Sequence, residues 1–314
     1  MKKKAIIVSI KSYKLSSKEK LLLSKEKPWG LILFKRNIKS IEQIKKLIKN
    51  IMKLTNDSKF PILIDEEGIK VSRLSNIFNH NFNADFFGKI YEIDKKISIS
   101  IYKTYLKTLC SNLRKIGINI NTIPVLDVLR KSTHEILKKR TFSQKKEIVK
   151  YLGKITIKEC HSNNILTVIK HIPGHGCSKK DSHITLPKVN FNEKYLNKID
   201  FYPFKSSLSK LAMTAHILYT KIDAKNVSTF SKKIIESIIR KKIGFKGILI
   251  SDDISMKALK YDLVTNAKKS LSAGCNLVLY CSGNIKDNFK LIKSVPYIDN
   301  FTSKKTSEIY KILR

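Results

Sequence analysis

The chain has 314 residues, 42% of them hydrophobic, and carries a formal net charge of +38. That apolar content can build a substantial core, which excludes a disordered chain, and no apolar run approaches the roughly 18 residues of a membrane-spanning helix. Only seven of the 63 basic residues are arginine, and the lysines spread along the whole chain with no zinc-finger spacing or RNA-binding aromatic signature. The charge therefore reads as solvated lysine faces under a compositional bias toward Lys, Ile and Asn, with no specific nucleic-acid partner.

Met1 to Lys4 is basic, but the apolar run behind it, AIIVSI, has six residues and then meets Lys11. That is too short for a secretory signal and suits a buried strand. The five cysteines are scattered and form no C-x-x-C, as expected of free thiols in a reducing compartment. A soluble, cytoplasmic protein without membrane insertion is expected, monomeric and built as one domain over residues 1–314.

In chain order, eight short segments rich in Ile, Val and Leu follow one another: AIIVSI (5–10), GLILF (30–34), PILID (61–65), INTIPVLDV (120–128), LTVIKHI (166–172), LAMTAHI (211–217), GILISDD (247–253) and NLVLYC (276–281). Most are continuous apolar runs, as in parallel strands buried on both faces. Helical patterns lie between them. Residues 40–55 place Ile41, Ile44, Leu47, Ile48 and Ile51 on one face, with Ser40 as N-cap and Gln43 completing a capping box. Residues 228–245 repeat the pattern with Gly244 at the C-terminal cap, and residues 264–274 again end on glycine. Eight strands alternating with helices predict an α/β fold, a single (β/α)₈ barrel of the TIM type.

Such a barrel places its active site at the C-terminal ends of the strands. Five of the eight segments end in titratable groups: Asp65, Asp127, Lys170 with His171, His216, and Asp252 with Asp253. Five at the same end point to an enzyme. The stretch KHIPGHGCSKKDSH (170–183) also gathers three of the seven histidines. A metal site there is disfavoured, because Pro173 and Gly174 break the helix that would align His171 with His175. No G-x-S-x-G elbow occurs, and Cys177 has only proximity to His175 in its favour. Glycosidic cleavage fits better: strand-end Asp252 can attack an anomeric carbon, and the Asp181/His183 pair can deliver the proton.

At these residues the chain resembles the family 3 glycoside hydrolases, and within them the bacterial cytoplasmic β-N-acetylhexosaminidases (β-N-acetylglucosaminidases) of peptidoglycan recycling. The matching segments are GLILFKRN (30–37), ILIDEEG (62–68), IPVLDV (123–128), KRTFS (139–143), KHIPGHG (170–176), DSH (181–183), MTAH (213–216), ISDDISMKAL (250–259) and AGCNLVL (273–279). They stand in family order over nearly the whole chain, and the four residues between GHG and DSH match the family spacing.

The resemblance implies a retaining exo-β-N-acetylglucosaminidase acting on GlcNAc-containing muropeptides without metal or other cofactor. Asp252 matches the nucleophile, His183 the acid/base and Asp181 its partner. Lys170 and His171 match residues that bind sugar hydroxyls, and Asp65 the carboxylate that grips the sugar at its non-reducing end. Arg140 and Arg73 match substrate-binding arginines. Asp127 and His216 are pocket candidates, His175 a loop brace, and Met256 a residue of the pocket floor or the core.

Some positions depart from the family pattern. Ile69 and Lys70 stand where Gly and Arg are usual, Lys138 and Lys139 precede Arg140 where Gly-Asp or a similar acidic residue is common, and Asn276 stands where Asp is common. An Ile69 forced to positive φ would be strained, and Lys70 cannot copy a bidentate arginine contact. Two other readings are another family 3 β-glycosidase or glycoside phosphorylase, and an eroded, non-catalytic polyanion binder. The other glucosidases of the family usually take their acid from a further domain and lack the DSH dyad, which this chain has.

Overall fold

The computed structural model describes residues 2–79, 81–131, 133–135, 137–178 and 185–313. Among the described residues there are ten strands: β1 (Lys4–Val8), β2 (Pro28–Leu33), β3 (Ile62–Ile64), β4 (Ile120–Asn121), β5 (Leu166–Ile172), β6 (Lys188–Val189), β7 (Leu211–Thr214), β8 (Leu218–Tyr219), β9 (Ile248–Asp253) and β10 (Leu277–Leu279). Eight of them close into a parallel barrel in the order β1-β10-β9-β7-β5-β4-β3-β2. These are the eight apolar segments of the sequence. The short parallel pair β6–β8 was not predicted; it lies beyond the C-terminal ends of β5 and β7.

Strand parity sorts the core. Leu63, Leu166, Val168, Leu211, Met213, Ile248, Ile250, Leu277 and Leu279 share the cluster that fills the barrel. Their neighbours Ile62, Ile64, Ile169, Ala212, Leu249 and Val278 belong to the cluster between the strands and the outer helices. The helices are α1 (Ser17–Leu21), α2 (Ile41–Thr55), α3 (Ala84–Ile93), α4 (Lys95–Ile116), α5 (Lys146–Ser162), α6 (Glu193–Lys198), α7 (Leu263–Ala273), α8 (Ile285–Ser294) and α9 (Asn300–Ile312).

Local signals in the sequence hold with three refinements. Ser40 caps α2 by accepting the Gln43 N–H at 3.2 Å, but the Gln43 side chain accepts from Lys39 N–H and so reaches one residue further back than a standard capping box. The segment expected as one helix over 228–245 is a 3₁₀ turn (Ser228–Phe230) followed by a π-helical stretch (Ile234–Lys242). It still buries Ile234, Ile235, Ile238 and Ile239, and Gly244, with φ +78°, follows its C-cap Ile243. The expected strand 120–128 pairs regularly only at Ile120–Asn121, because Pro124 has no N–H to give the ladder; Val125 regains a single bridge to Lys170.

Candidate active site

The parity that fills the barrel also fills the site. Leu63 points inward, so Asp65 and Glu67 continue that row past the strand end. Leu166 and Val168 are followed by Lys170, and Ile248 and Ile250 by Asp252. Asp65, Arg73, Arg140, Lys170, His171 and Asp252 all line one cleft of about 650 Å³ at this end of the barrel. Met256 lines it too. Asp181 and His183 lie outside the described residues.

One side of the cleft is an ion network. Lys170 Nζ lies 2.7 Å from Glu67 Oε1, 3.2 Å from Asp65 Oδ1 and 2.8 Å from Thr122 Oγ1. Arg140 grips Glu67 with two parallel bonds, Nε to Oε2 at 2.7 Å and Nη2 to Oε1 at 2.9 Å. Arg73 Nη2 reaches Asp65 Oδ2 at 3.3 Å, and the Thr122 hydroxyl donates to Asp65 Oδ1. Burial alone would push both carboxyls up, but the neighbouring cations outweigh it. Lys170 and Arg73 hold Asp65 far below the carboxylate range, and Arg140 with Lys170 holds Glu67 down to about 2. Both are therefore ionised at neutral pH. Sequence reasoning did not single out Glu67; its signal was the i, i+2 spacing from Asp65, which keeps it on the inward row.

His171 joins the cleft through Asp127. Asp127 is fully buried, with Oδ2 2.7 Å from His171 Nδ1 and Oδ1 accepting the His175 backbone N–H at 2.6 Å. Burial opposes its ionisation, yet the two histidines hold it below its usual value. The His175 imidazole is buried and its pKa is pushed down to about 4, so the ring is neutral. His216 is buried between Thr229 Oγ1 (2.7 Å) and the Asp253 carbonyl (3.0 Å). Asp127 and His216 thus stand behind the cleft wall and hold it in place.

The two aspartates that end β9 have different surroundings. The Asp253 carboxylate takes Ser255 N–H and O–H at 3.0 and 2.8 Å and Cys281 N–H at 3.3 Å, and burial raises its pKa. Asp252 accepts the Asp253 N–H at 2.8 Å and faces the inward row. The departures at 69 and 70 resolve simply. The positive φ falls on Gly68 (+140°), so Ile69 avoids the left-handed region and stands exposed. Lys70 lines the cleft and is fixed through its backbone N–H to Asn83 Oδ1 at 2.8 Å. Lys139, by contrast, does occupy a left-handed conformation, with φ +69°.

A strand-end cleft with an inward carboxylate opposite a cation-rich wall is suited to gripping a polyhydroxylated ring and attacking it. Several known proteins are similar to this chain. The β-hexosaminidase of Psychromonas ingrahamii is 30% identical over 303 residues, covering 93% of this chain and 88% of its own length. That of Actinobacillus succinogenes is 31% identical over 309 residues, covering 94% and 87%. Among solved structures, NagZ from Neisseria gonorrhoeae in complex with N-trifluoroacetyl-D-glucosamine superposes with a TM-score of 0.88 at 28% identity, over 98% of this chain and 90% of that one. The glycosyl hydrolase family 3 N-terminal domain matches residues 2–305. With the family's domain spread over almost all of its length, the chain belongs to glycosyl hydrolase family 3 and is a glycoside hydrolase.

Proposed function

We propose that the protein is a retaining exo-β-N-acetylglucosaminidase that removes terminal β-linked N-acetylglucosamine from peptidoglycan fragments. The observation that carries this reading is the cleft that holds Asp252 together with Asp65, Arg140, Lys170 and His171. Hexosaminidase relatives and the glucosamine-derivative complex of NagZ support the choice of sugar. Asp65, Lys170, His171, Arg140 and Arg73 bind the sugar hydroxyls and anchor its non-reducing end. Asp252 attacks the anomeric carbon while His183, oriented by Asp181, protonates the leaving oxygen. In the second step His183 takes a proton from water, and that water releases the sugar from Asp252. An imidazole suits this double task because its ordinary pKa, about 6.5, lies near working pH. Asp252 is a better nucleophile than Asp253, whose oxygens are committed to Ser255 and Cys281. The enzyme works as a cytoplasmic, one-domain monomer on muropeptides.

The test is release of 4-nitrophenol from the aryl β-N-acetylglucosaminide and the aryl β-glucoside, by wild type and Asp252→Ala, with water or phosphate as acceptor. Release from the first substrate alone, lost by a factor on the order of 10⁴ in the variant, is expected. Equal turnover by Asp252→Ala would remove the nucleophile assignment. A rate that requires phosphate would make the protein a phosphorylase.

A further inference from the structure

Residues 174–178 follow β5 and form a stem, and every one of them is buried. The sequence reaches Asp181 three residues after this stem and His183 five after it. The stem is tied at every residue. Gly174 O accepts from the Tyr219 hydroxyl, and His175 N–H donates to Asp127. Gly176 O accepts from Thr133 Oγ1 at 2.7 Å, and Ser178 O accepts from His134 N–H at 3.1 Å. Cys177 Sγ lies 3.1 Å from Asp200 Oδ2.

Asp200 is the unusual member. It is fully buried, lies outside the cleft, and pairs with Arg130 Nη2 at 2.5 Å. Arg130 in turn donates to Tyr195 Oη at 3.1 Å and lies 5.4 Å from the centre of that ring. Gly174, at φ +143°, packs flush against the same residue: a Cβ there would stand 2.9 Å from Asp200 Cβ and 2.9 Å from its carbonyl oxygen. A buried ion pair adds little net stability, because desolvation offsets the attraction; its best-attested use is to fix one arrangement. This one fixes the stem.

We propose that the Arg130–Asp200 pair is a positioning device for the acid/base step, holding the stem from which Asp181 and His183 extend. Neither Arg130 nor Asp200 lines the cleft that holds Asp252; they act through the stem. The inference rests on the acid/base role assigned to His183 above, and it predicts a signature that a purely structural pair would not give. A poor leaving group needs its oxygen protonated during departure, and a good one hardly does.

The experiment measures kcat/KM, which reports glycosylation, for 4-methoxyphenyl and 2,4-dinitrophenyl β-N-acetylglucosaminides in Asp200→Asn and Tyr219→Phe. In the same variants, hydrogen exchange is followed at the His175 and Ser178 amides. General acid catalysis contributes about 10²–10⁴-fold, so roughly tenfold more loss on the 4-methoxyphenyl substrate than on the dinitrophenyl one is expected, with faster exchange at both amides. Equal losses on the two substrates, or unchanged exchange, overturn the proposal. Tyr219→Phe removes a single hydroxyl from the stem's Gly174 contact and serves as the comparison, and Arg130→Gln, which removes the other partner of the pair, supplies both readouts if Asp200→Asn does not fold. If the wild type cleaves neither substrate, the proposed activity fails, and the exchange data still decide whether the pair holds the stem.

Discussion

His171 Nδ1 lies 2.7 Å from Asp127 Oδ2, and the other oxygen of that carboxylate takes the His175 N–H at 2.6 Å. One buried carboxylate therefore aims an imidazole at the cleft and fixes the stem behind it. Asp127→Asn keeps the shape but replaces one acceptor oxygen with an N–H₂ group. A hydrogen bond to a charged group is worth about 1.5–3 kcal/mol, so kcat/KM on an aryl β-N-acetylglucosaminide should fall roughly 10- to 100-fold. An unchanged kcat/KM would mean that the orientation of His171 does not matter to the reaction.

Glu67 is the hub of the ion network, and its removal leaves Lys170 and Arg140 as buried cations without that partner. Glu67→Gln should cost about 3–5 kcal/mol at neutral pH, read by urea unfolding. The pH dependence has a definite sign. Glu67 is held down to about 2 in the folded protein, below the unfolded carboxyl near 4.3. Its contribution is therefore present above the unfolded value and is lost as pH falls through the folded one. The shift corresponds to about 3 kcal/mol at pH 7, of which about half is gone at pH 3. The stability gap between wild type and Glu67→Gln should narrow accordingly between those two pH values. A gap independent of pH would mean that Glu67 is not an ionised partner in the fold.

The barrel was legible because burial on both faces leaves a direct record, and each of the eight apolar runs became a barrel strand. Asp65, Lys170 and Asp252 were legible for a related reason: each closes such a run. What the sequence hid depends on long-range geometry. Nothing local says that Glu67 meets Arg140, 73 positions away, or that Arg130 meets Asp200, 70 away. The π-helical stretch at Ile234–Lys242 was hidden because its apolar spacing also fits an α-helix. The short strand β4 was overextended because an apolar pattern continues through Pro124 while the hydrogen-bond ladder does not.

Asn276 departs from the family pattern, and its contacts place it away from the cleft. It precedes β10, at the N-terminal end of the barrel, where Oδ1 accepts from Leu249 N–H and Arg240 Nη2, both at 2.8 Å. Burial disfavours the Arg240 charge. Asn276→Asp would give that guanidinium a counter-charge while keeping both acceptor contacts, at the loss of the 3.2 Å donation to Thr302 Oγ1. The expected result is unchanged turnover and a stability gain of up to about 1 kcal/mol in urea unfolding. A large loss of activity would show that the barrel base is coupled to the cleft.

Two glycines separate a steric demand from a conformational one. A Cβ on Gly176 would meet the Val128 carbonyl oxygen at 2.0 Å and its carbon at 2.9 Å, backbone against backbone, with no flexible side chain to yield. Gly244 is the converse: its φ is +78°, but a Cβ there meets nothing within 4 Å. Gly244→Ala should cost about 1–2 kcal/mol for the left-handed conformation and leave kcat/KM intact. Gly176→Ala must displace the stem or the chain after β4. It should cost about 1–3 kcal/mol or more, and also lower kcat/KM, because Gly176 lies between the stem residues bound to Asp127 and Asp200. Thermal unfolding and aryl-glycoside turnover on the two variants would separate these effects. Equal stability losses with equal, unimpaired turnover would show that the stem can move without consequence for catalysis, and would count against its role in placing the acid/base.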